Sequence, residues 1–500
     1  MKETCCRMER RDQVWLARQK HNCSEPSLSR RGWLAGAGAS AVCTAMPALA
    51  AGARDRPNII LCMSDDQGWG DVGFRGHKVL KTPVLDEMAA SGLRFERFYA
   101  AAPVCSPTRC SVLTGRHPNR YGCFSWGHTL RPQELTIAEV LKQAGYATGH
   151  FGKWHLGPVR ADSPISPGGS GFEQWMSSPN FFENDPLMSL NGKVIQTRGE
   201  GSQVTVDAAL DFIRAATARR QPFLAVVWFG SPHAPHRALE EDRLLYPGQP
   251  EQLQHFYGEI TAMDRAMGNL RRELRKSGIA ENTLLWFNSD NGAIPAGSTG
   301  GLSGGKGNLR EGGIRVPAVI EWPARVRQPR VEHMPCGTVD IYPTLIDVAG
   351  ARVAKQVKPL DGISLAPLIG GRMGRRGKAL GFWDYPEPGV GVQSQKLLEE
   401  LAAEQAGKTP PAAAPPNPGD IGKRYPEDAF PGSAAWIDGQ YKLLRVAAAD
   451  KAPALFDLER DPQEKVDLAS AEPKRLARMD SELKAWQKSV VRSLNGADYR

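Results

Sequence analysis

Two apolar runs of strand length each break directly into carboxylates, and this pattern constrains the fold more than any other feature of the chain. Asn58-Ile59-Ile60-Leu61-Cys62-Met63 runs into Ser64-Asp65-Asp66-Gln67-Gly68-Trp69-Gly70, and Asn282-Thr283-Leu284-Leu285-Trp286-Phe287-Asn288 runs into Ser289-Asp290-Asn291-Gly292. Short, uninterrupted apolar runs bounded by turn residues read as buried strands. Carboxylates at the end of such a strand are costly unless a cation compensates them. One such stretch alone is also compatible with a solvated turn, where Asp and Gly are common. Its recurrence points to one site at the carboxyl ends of strands, where ligands gather in open α/β sheets. Asp65, Asp66, Asp290 and Asn291 offer only oxygen, which selects a hard cation, Ca²⁺ or Mg²⁺, over zinc.

Two further runs end in basic groups. Tyr146-Ala147-Thr148-Gly149-His150 continues into Phe151-Gly152-Lys153-Trp154-His155-Leu156-Gly157, and Phe223-Leu224-Ala225-Val226-Val227-Trp228-Phe229 continues into Ser231-Pro232-His233-Ala234-Pro235-His236. Gly304-Gly305-Lys306-Gly307, with Glu311-Gly312-Gly313-Ile314-Arg315-Val316-Pro317, forms a glycine-rich loop around one lysine. Taken singly, each of these basic residues reads as a surface charge or a packed polar group. Helical spacing covers residues 82–91, 136–144, 206–219 and 253–277. Buried strands alternating with helices predict an α/β fold, a mixed and largely parallel sheet covered on both faces.

The stretch Cys105-Ser106-Pro107-Thr108-Arg109-Cys110-Ser111-Val112-Leu113-Thr114-Gly115-Arg116 sets a cysteine beside a helix start. Ser106 is a favoured N-cap and Pro107 a favoured first residue, so the helix is expected to begin there and stop near Gly115. Cys105 then lies at the positive end of the helix, where an anion is held well, and Arg109 faces the same way one turn on.

Cys-x-Pro-x-Arg followed by Leu-Thr-Gly-Arg resembles the signature of the type I sulfatases. Gly152-Lys153-Trp154-His155-Leu156-Gly157 and the other strand-end segments match that family in order. The whole chain is most similar to its arylsulfatase A-like and N-acetylgalactosamine-6-sulfatase-like members. The resemblance implies an alkaline-phosphatase-like fold, hydrolysis of sulfate monoesters, and oxidation of Cys105 to formylglycine by a maturation enzyme. It implies Ca²⁺ at Asp65, Asp66, Asp290 and Asn291, with the modified Cys105 completing the shell. It also implies that Arg109, Lys153 and His155 hold and ionise the hydrated aldehyde, while His233 and Lys306 bind sulfate and help protonate the leaving oxygen. Sulfated carbohydrates are the implied natural substrates and aryl sulfates the implied assay substrates.

Two rival readings stand beside this one. A phosphomonoesterase or phosphonate hydrolase of the same fold would more often keep Ser or Thr as nucleophile, with two zinc ions and extra histidine ligands; the sequence shows no such set. A calcium-dependent binder of sulfated glycans would have lost catalysis. Trp69, Trp126, His128 and Trp383 are candidates to line a sugar site, and His236 is a candidate for substrate contact or loop packing.

Residues 1–50 read as an address. Ser29-Arg30-Arg31-Gly32-Trp33-Leu34 resembles a twin-arginine export motif, followed by an Ala/Gly-rich run ending at Ala48-Leu49-Ala50, after which cleavage is expected. A membrane anchor is the alternative, but this run is rich in small residues and barely reaches spanning length. With 28 residues before the motif, Met8 or a later position is a candidate start. The twin-arginine export machinery is the expected partner, and a periplasmic or secreted destination the expected location.

The formal charge is +9, with eight Lys/Arg against four acids in the leader and +5 on the remainder. This surplus suits anionic substrates, and no basic, aromatic-interleaved module for nucleic acid is present. Five cysteines follow the leader: Cys62, Cys105, Cys110, Cys123 and Cys336. An odd number in an exported chain fits one with a separate duty and four that form two disulfides or none.

The expected organisation is a catalytic domain over 55–375 and a smaller α+β carboxy-terminal part over 376–500. In the latter, residues 386–426, rich in Pro, Ala and Gly, read as an exposed insertion or linker. Asp438-Gly439 marks a hairpin, residues 454–458 a strand, and residues 473–494 a terminal helix.

Overall fold

The computed structural model describes residues 56–410, 419–447 and 451–499. The leader with its twin-arginine motif, and Pro411-Ala412-Ala413-Ala414-Pro415-Pro416, lie outside the described residues.

A ten-stranded sheet carries the architecture. Its centre is five parallel strands, in spatial order Thr283–Ser289, Asn58–Ser64, Phe223–Trp228, Ala147–Lys153 and Gln174–Ser178. Antiparallel neighbours extend it on both sides, Ala318–Glu321 beyond the first of these and Leu187–Leu190 with Lys193–Gln196 beyond the last. The uninterrupted apolar runs are explained by burial on both faces. Ile59, Leu61 and Met63 pack with the helices Cys105–Thr114, Ile137–Gln143 and Ile341–Ala349. Ile60 and Cys62 pack oppositely with Pro83–Ser91, Gly201–Ala218 and Glu251–Lys276. The strand and helix pattern predicts this mixed, largely parallel sheet, and the fold is alkaline-phosphatase-like, as the family resemblance implies.

Several boundaries differ from the sequence expectation. The cysteine-bearing helix runs Cys105–Thr114, with Val104 as N-cap in an extended conformation, so Cys105 is its first residue. Pro107 is still tolerated, because the amides of the whole first turn have no intrahelical partner. The Ser106 hydroxyl does not cap the helix; it accepts a hydrogen bond from the Gly127 amide at 2.9 Å. The helix expected over 206–219 begins at Gly201, because the Glu200 carboxylate caps the Ser202 and Gln203 amides. The strand expected to end at His150 continues to Lys153.

Beyond residue 376 a separate four-stranded antiparallel sheet forms from Leu380–Asp384, Ser433–Asp438, Tyr441–Arg445 and Ala454–Asp457. Helix Pro473–Leu494 packs on it through Met479, Leu483, Val490 and Val491. Asp438 pairs with Tyr441, so the two-residue turn is Gly439-Gln440 rather than Asp438-Gly439; Gly439, at φ 60°, supplies the left-handed step. The segment expected as an exposed linker instead contains helix Ser394–Gln405, which buries Leu398 and Leu401. Gln405 and Glu404 tie it to the main body, through the Gly192 carbonyl and a two-armed pair with Arg160. None of the described helices is long and apolar enough to cross a membrane.

Candidate active site

The carboxyl ends of four central strands meet at one edge of the sheet. Ser64 and Ser289 lie opposite each other in register, so Asp65 and Asp290 follow side by side. The Asp290 amide donates to the Ser64 carbonyl and the Asp65 amide to the Ser231 carbonyl, which stitches three strand ends together. Asp66 at φ 70° and His155 at φ 56° occupy the left-handed region, a conformation that costs non-glycine residues energy and concentrates at functional sites.

One oxygen from each of Asp65, Asp66 and Asp290 lies within 4.8 Å of the others, and all three side chains are buried. Three fixed cations surround them. Arg109 donates to Asp290 Oδ2 at 2.7 Å and to the Lys153 carbonyl at 3.2 Å, and its guanidinium lies over the Trp228 ring. Lys153 Nζ donates to Asp65 Oδ2 at 2.6 Å, and Lys306 Nζ to Asp66 Oδ2 at 2.7 Å. Asn291 donates to Asp66 Oδ1 at 2.8 Å.

Burial and the Asp65 charge push the Asp290 carboxyl up to about 6 despite Arg109. Burial acts the same way on Asp66, yet Lys306 and His233 hold it down at about 2. Asp65 Oδ1 and Asn291 Oδ1 are buried and accept no hydrogen bond. Orphaned acceptors among converging carboxylates are costly unless something electropositive sits between them. The residues therefore fit a hard divalent cation bound through oxygen.

Cys105, at the first position of its helix, is 1% exposed. Its sulfur, an Asp65 oxygen and a His233 nitrogen lie within 4.8 Å of one another. Burial pushes the thiol up to about 12 against the opposing pull of Lys153 and Lys306, so the unmodified thiol is not an anionic nucleophile near neutral pH. His155 is held well below the usual histidine range by burial and by Lys153 and Arg109, and neither ring nitrogen has a partner. His233 is lowered to about 4 by burial and Lys153, against the pull of Asp66. Its Nδ1 lies 2.6 Å from the Ala234 carbonyl and so carries the proton, which leaves Nε2 as the acceptor, 3.7 Å from Asp66. Phe181 stacks on the ring at 4.3 Å.

Cys105, His155, His233 and Lys306 open onto a cavity of about 880 Å³. The structure thus gathers Asp65, Asp66, Cys105, Arg109, Lys153, His155, His233, Asp290, Asn291 and Lys306 at one place. Of the four sugar-site candidates, only Trp126 lines this cavity. Trp69 is sandwiched between Arg75 and Arg315, Trp383 is buried with its indole N–H on the Pro431 carbonyl, and His128 lies in a neighbouring cavity. His236 packs against Glu259 and Phe256. Cys62, Cys105, Cys110, Cys123 and Cys336 are all free thiols.

Sequence reasoning missed Asn180, Phe181, Gln393 and Ser394 in the cavity wall. The first two follow strand Gln174–Ser178, whose mixed composition gives no apolar run to mark it. The other two lie in the segment whose composition reads as linker.

A buried cysteine at a helix start, clustered carboxylates and convergent lysines at the strand ends of this fold define a hydrolase of anionic esters. A sequence profile of the Sulfatase family matches residues 57–351, and the chain belongs to that family. N-acetylgalactosamine-6-sulfatase of Rattus norvegicus is 34% identical over 373 residues, covering 66% of this chain and 68% of the relative. Arylsulfatase A of Bos taurus is 31% identical over 462 residues, covering 84% and 85%. The crystal structure of Ps i-CgsB in complex with k-i-k-neocarrahexaose superposes at a TM-score of 0.72 with 26% identity, covering 86% of this chain and 93% of that one. The chain is a sulfuric ester hydrolase.

Proposed function

We propose that this enzyme removes sulfate from sulfated glycans, and from aryl sulfates in assay, using formylglycine formed from Cys105 and Ca²⁺ held by Asp65, Asp66, Asp290 and Asn291. The observation that carries the reading is the convergence of three buried carboxylates and the cations paired with them, Arg109, Lys153 and Lys306, on the Cys105 side chain, which with His155, His233 and Lys306 lines the cavity. Ca²⁺ is favoured over Mg²⁺ by the family resemblance, since the donor types alone admit both.

The three carboxylates are matched by Arg109, Lys153 and Lys306, so a bound divalent cation leaves the floor positive and suited to an anionic ester. Ca²⁺, when bound, adds charge stabilisation at a sulfate oxygen. The hydrated aldehyde supplies two hydroxyls on one carbon, one to attack sulfur and one whose deprotonation lets sulfate depart. Arg109, engaged by Asp290 and the Lys153 carbonyl, acts as a fixed charge that keeps Asp290 ionised. Lys153 orients Asp65, and its charge lies beside the Cys105 side chain. His155, buried and neutral with both ring nitrogens free of protein partners, is placed to take a proton. Lys306, half-exposed to the cavity, meets the sulfate. His233, also at the cavity, presents Nε2 as an acceptor, so it takes up the proton given up by the attacking hydroxyl and passes that proton to the leaving oxygen.

The test is the mass of tryptic peptide Phe98–Arg109, which contains Cys105 and no other cysteine. The protein is made with an active formylglycine-generating enzyme, and sulfate release is measured in parallel. Conversion of CH₂SH to CHO together with sulfate release is expected. An unmodified thiol in protein that still releases sulfate would overturn the aldehyde route. The twin-arginine-like leader supports export to the periplasm or beyond after folding. Replacing both Arg30 and Arg31 by Lys is expected to retain the protein inside the cell, and unchanged export would refute that route.

A further inference from the structure

We infer that the enzyme acts on an oligosaccharide rather than on a single sugar, and that Trp126 is the platform carrying the chain out of the catalytic cavity toward a second one. This rests on the glycan reading above.

The catalytic cavity, at about 880 Å³, lies toward the upper end of the ~300–1,000 Å³ that encloses a drug-sized ligand. Its walls offer amide side chains, Asn184, Gln393 and Gln395, among charged ones of both signs, and three rings, Phe181, Phe182 and Trp126, of which one is well exposed. That ring is Trp126, 42% exposed although it is the kind of side chain folding normally hides. An aromatic face beside hydrogen-bonding amides suits a sugar, which presents C–H groups on its ring face and hydroxyls at its edge.

Trp126 is tied to the catalytic helix and to the 389–391 stretch. The next residue, Gly127, donates its amide to the Ser106 hydroxyl, adjacent to Cys105. The Trp126 carbonyl accepts from the Val390 amide at 2.9 Å. Gly389 lies so close that a β-carbon there would come within 2.1 Å of the indole, and one on Gly127 would strike the Val390 carbonyl. Two glycines thus permit the close approach that fixes the indole relative to the reacting carbon.

This tie is also a saddle. Trp126 and Gly391 line the catalytic cavity, while their chain neighbours Gly127 and Val390 line a second cavity of about 470 Å³. Val390 is 55% exposed on the crest. The second cavity carries Tyr425 and His128, again a ring beside a polar edge. A glycan with its sulfated residue at Cys105 therefore has a continuous aromatic and polar path over Trp126.

The test measures kcat/KM on 4-nitrophenyl sulfate, on N-acetylgalactosamine 6-sulfate, and on chondroitin 6-sulfate and carrageenan oligosaccharides of two, four and six residues. For wild type, kcat/KM is expected to rise about tenfold or more from the shortest to the longest active glycan. Trp126→Ala and, independently, Val390→Glu on the exposed crest are expected to flatten that rise. Sulfate release that is flat with chain length in the wild type overturns the platform and leaves the glycan reading standing. A length dependence that survives both variants overturns the placement. Hydrolysis of the aryl sulfate with none of the glycans overturns the glycan reading and the platform together.

Discussion

Lys442 is a buried lysine far from the reacting groups, and its replacement tests how the carboxy-terminal sheet supports the catalytic loop. Its Nζ lies 3.0 Å from both Glu311 Oε1 and Glu464 Oε1, and all three side chains are fully buried. Glu464, strained at φ 54°, accepts hydrogen bonds from the Ser303 hydroxyl at 2.5 Å and the Glu311 amide at 2.8 Å. Those contacts bracket the loop that presents Lys306. Lys442→Met strands two carboxylates beside each other, and breaking a buried ion pair costs about 3–5 kcal/mol. With unfolding entropy near 2.1 cal/mol/K per residue over a body of roughly 450 residues, 1 kcal/mol corresponds to about 1 °C. The expected fall in Tm is therefore about 3–5 °C by scanning calorimetry. Loss of the loop's anchor is expected to reduce kcat/KM on 4-nitrophenyl sulfate by about 10–100-fold well below Tm, the cost of misplacing a charge by an ångström. Adding Glu464→Gln to Lys442→Met removes one stranded charge and should recover part of the stability but not the activity. A single variant with unchanged Tm and unchanged kcat/KM would refute the reasoning.

Chelation of the metal should lower Tm and abolish sulfate release, both restored by Ca²⁺. In Asp65→Asn the release should fall by at least about 10³-fold and Tm should no longer respond to chelator; a chelator response identical to wild type would refute the ligand assignment. Cys105→Ala keeps the β-carbon and should fold with a near-native Tm while losing at least about 10³-fold in kcat, read by sulfate release. Asp361 accepts two hydrogen bonds from Arg120 and others from the His117 amide and the Trp486 indole, and Arg120 with these bonds holds it well below the usual carboxylate range despite burial. A depressed carboxyl contributes stability that is present above its unfolded pKa near 4 and lost as pH falls through the folded value. Wild-type Tm should therefore drop below about pH 4, whereas Asp361→Asn should start lower at pH 7 and vary less across the acid range.

The parts legible in the sequence were those where local chemistry and tertiary position coincide. The runs 58–63 and 283–288 read as buried strands because they are short and apolar, and the recurrence of carboxylates at their ends pointed to a shared cation site where either stretch alone also fitted a solvated turn. Helix Pro473–Leu494 was readable to its ends, since a proline opens it and its apolar stripe is continuous. Other features depend on contacts remote in sequence. Ser106 has the chemistry of an N-cap, yet its hydroxyl is claimed by Gly127, twenty-one residues on. Gly201–Ala218 gains its first turn from Glu200, a cap outside the most favoured set.

The segment 386–405 carries this point furthest. Its proline, glycine and charged residues look like solvent-exposed linker, because composition reports average burial and not what the few buried side chains hold in place. In the structure Leu398 and Leu401 anchor a helix, Glu404 grips Arg160, the Ser394 hydroxyl accepts from the Asn180 amide, and Gly389 locks Trp126. The reacting groups sit on buried strand ends and a buried helix, where the family's chemistry fixes residue type. The cavity wall above them is shared between residues 180–187, which follow strand Gln174–Ser178, and residues 391–399 of this insertion, where only shape and a handful of polar contacts are required. Part of the cavity wall is thus built by the stretch whose sequence carries the weakest local signal, which is why the family could be read from the sequence and the tie between Trp126 and Val390 could not.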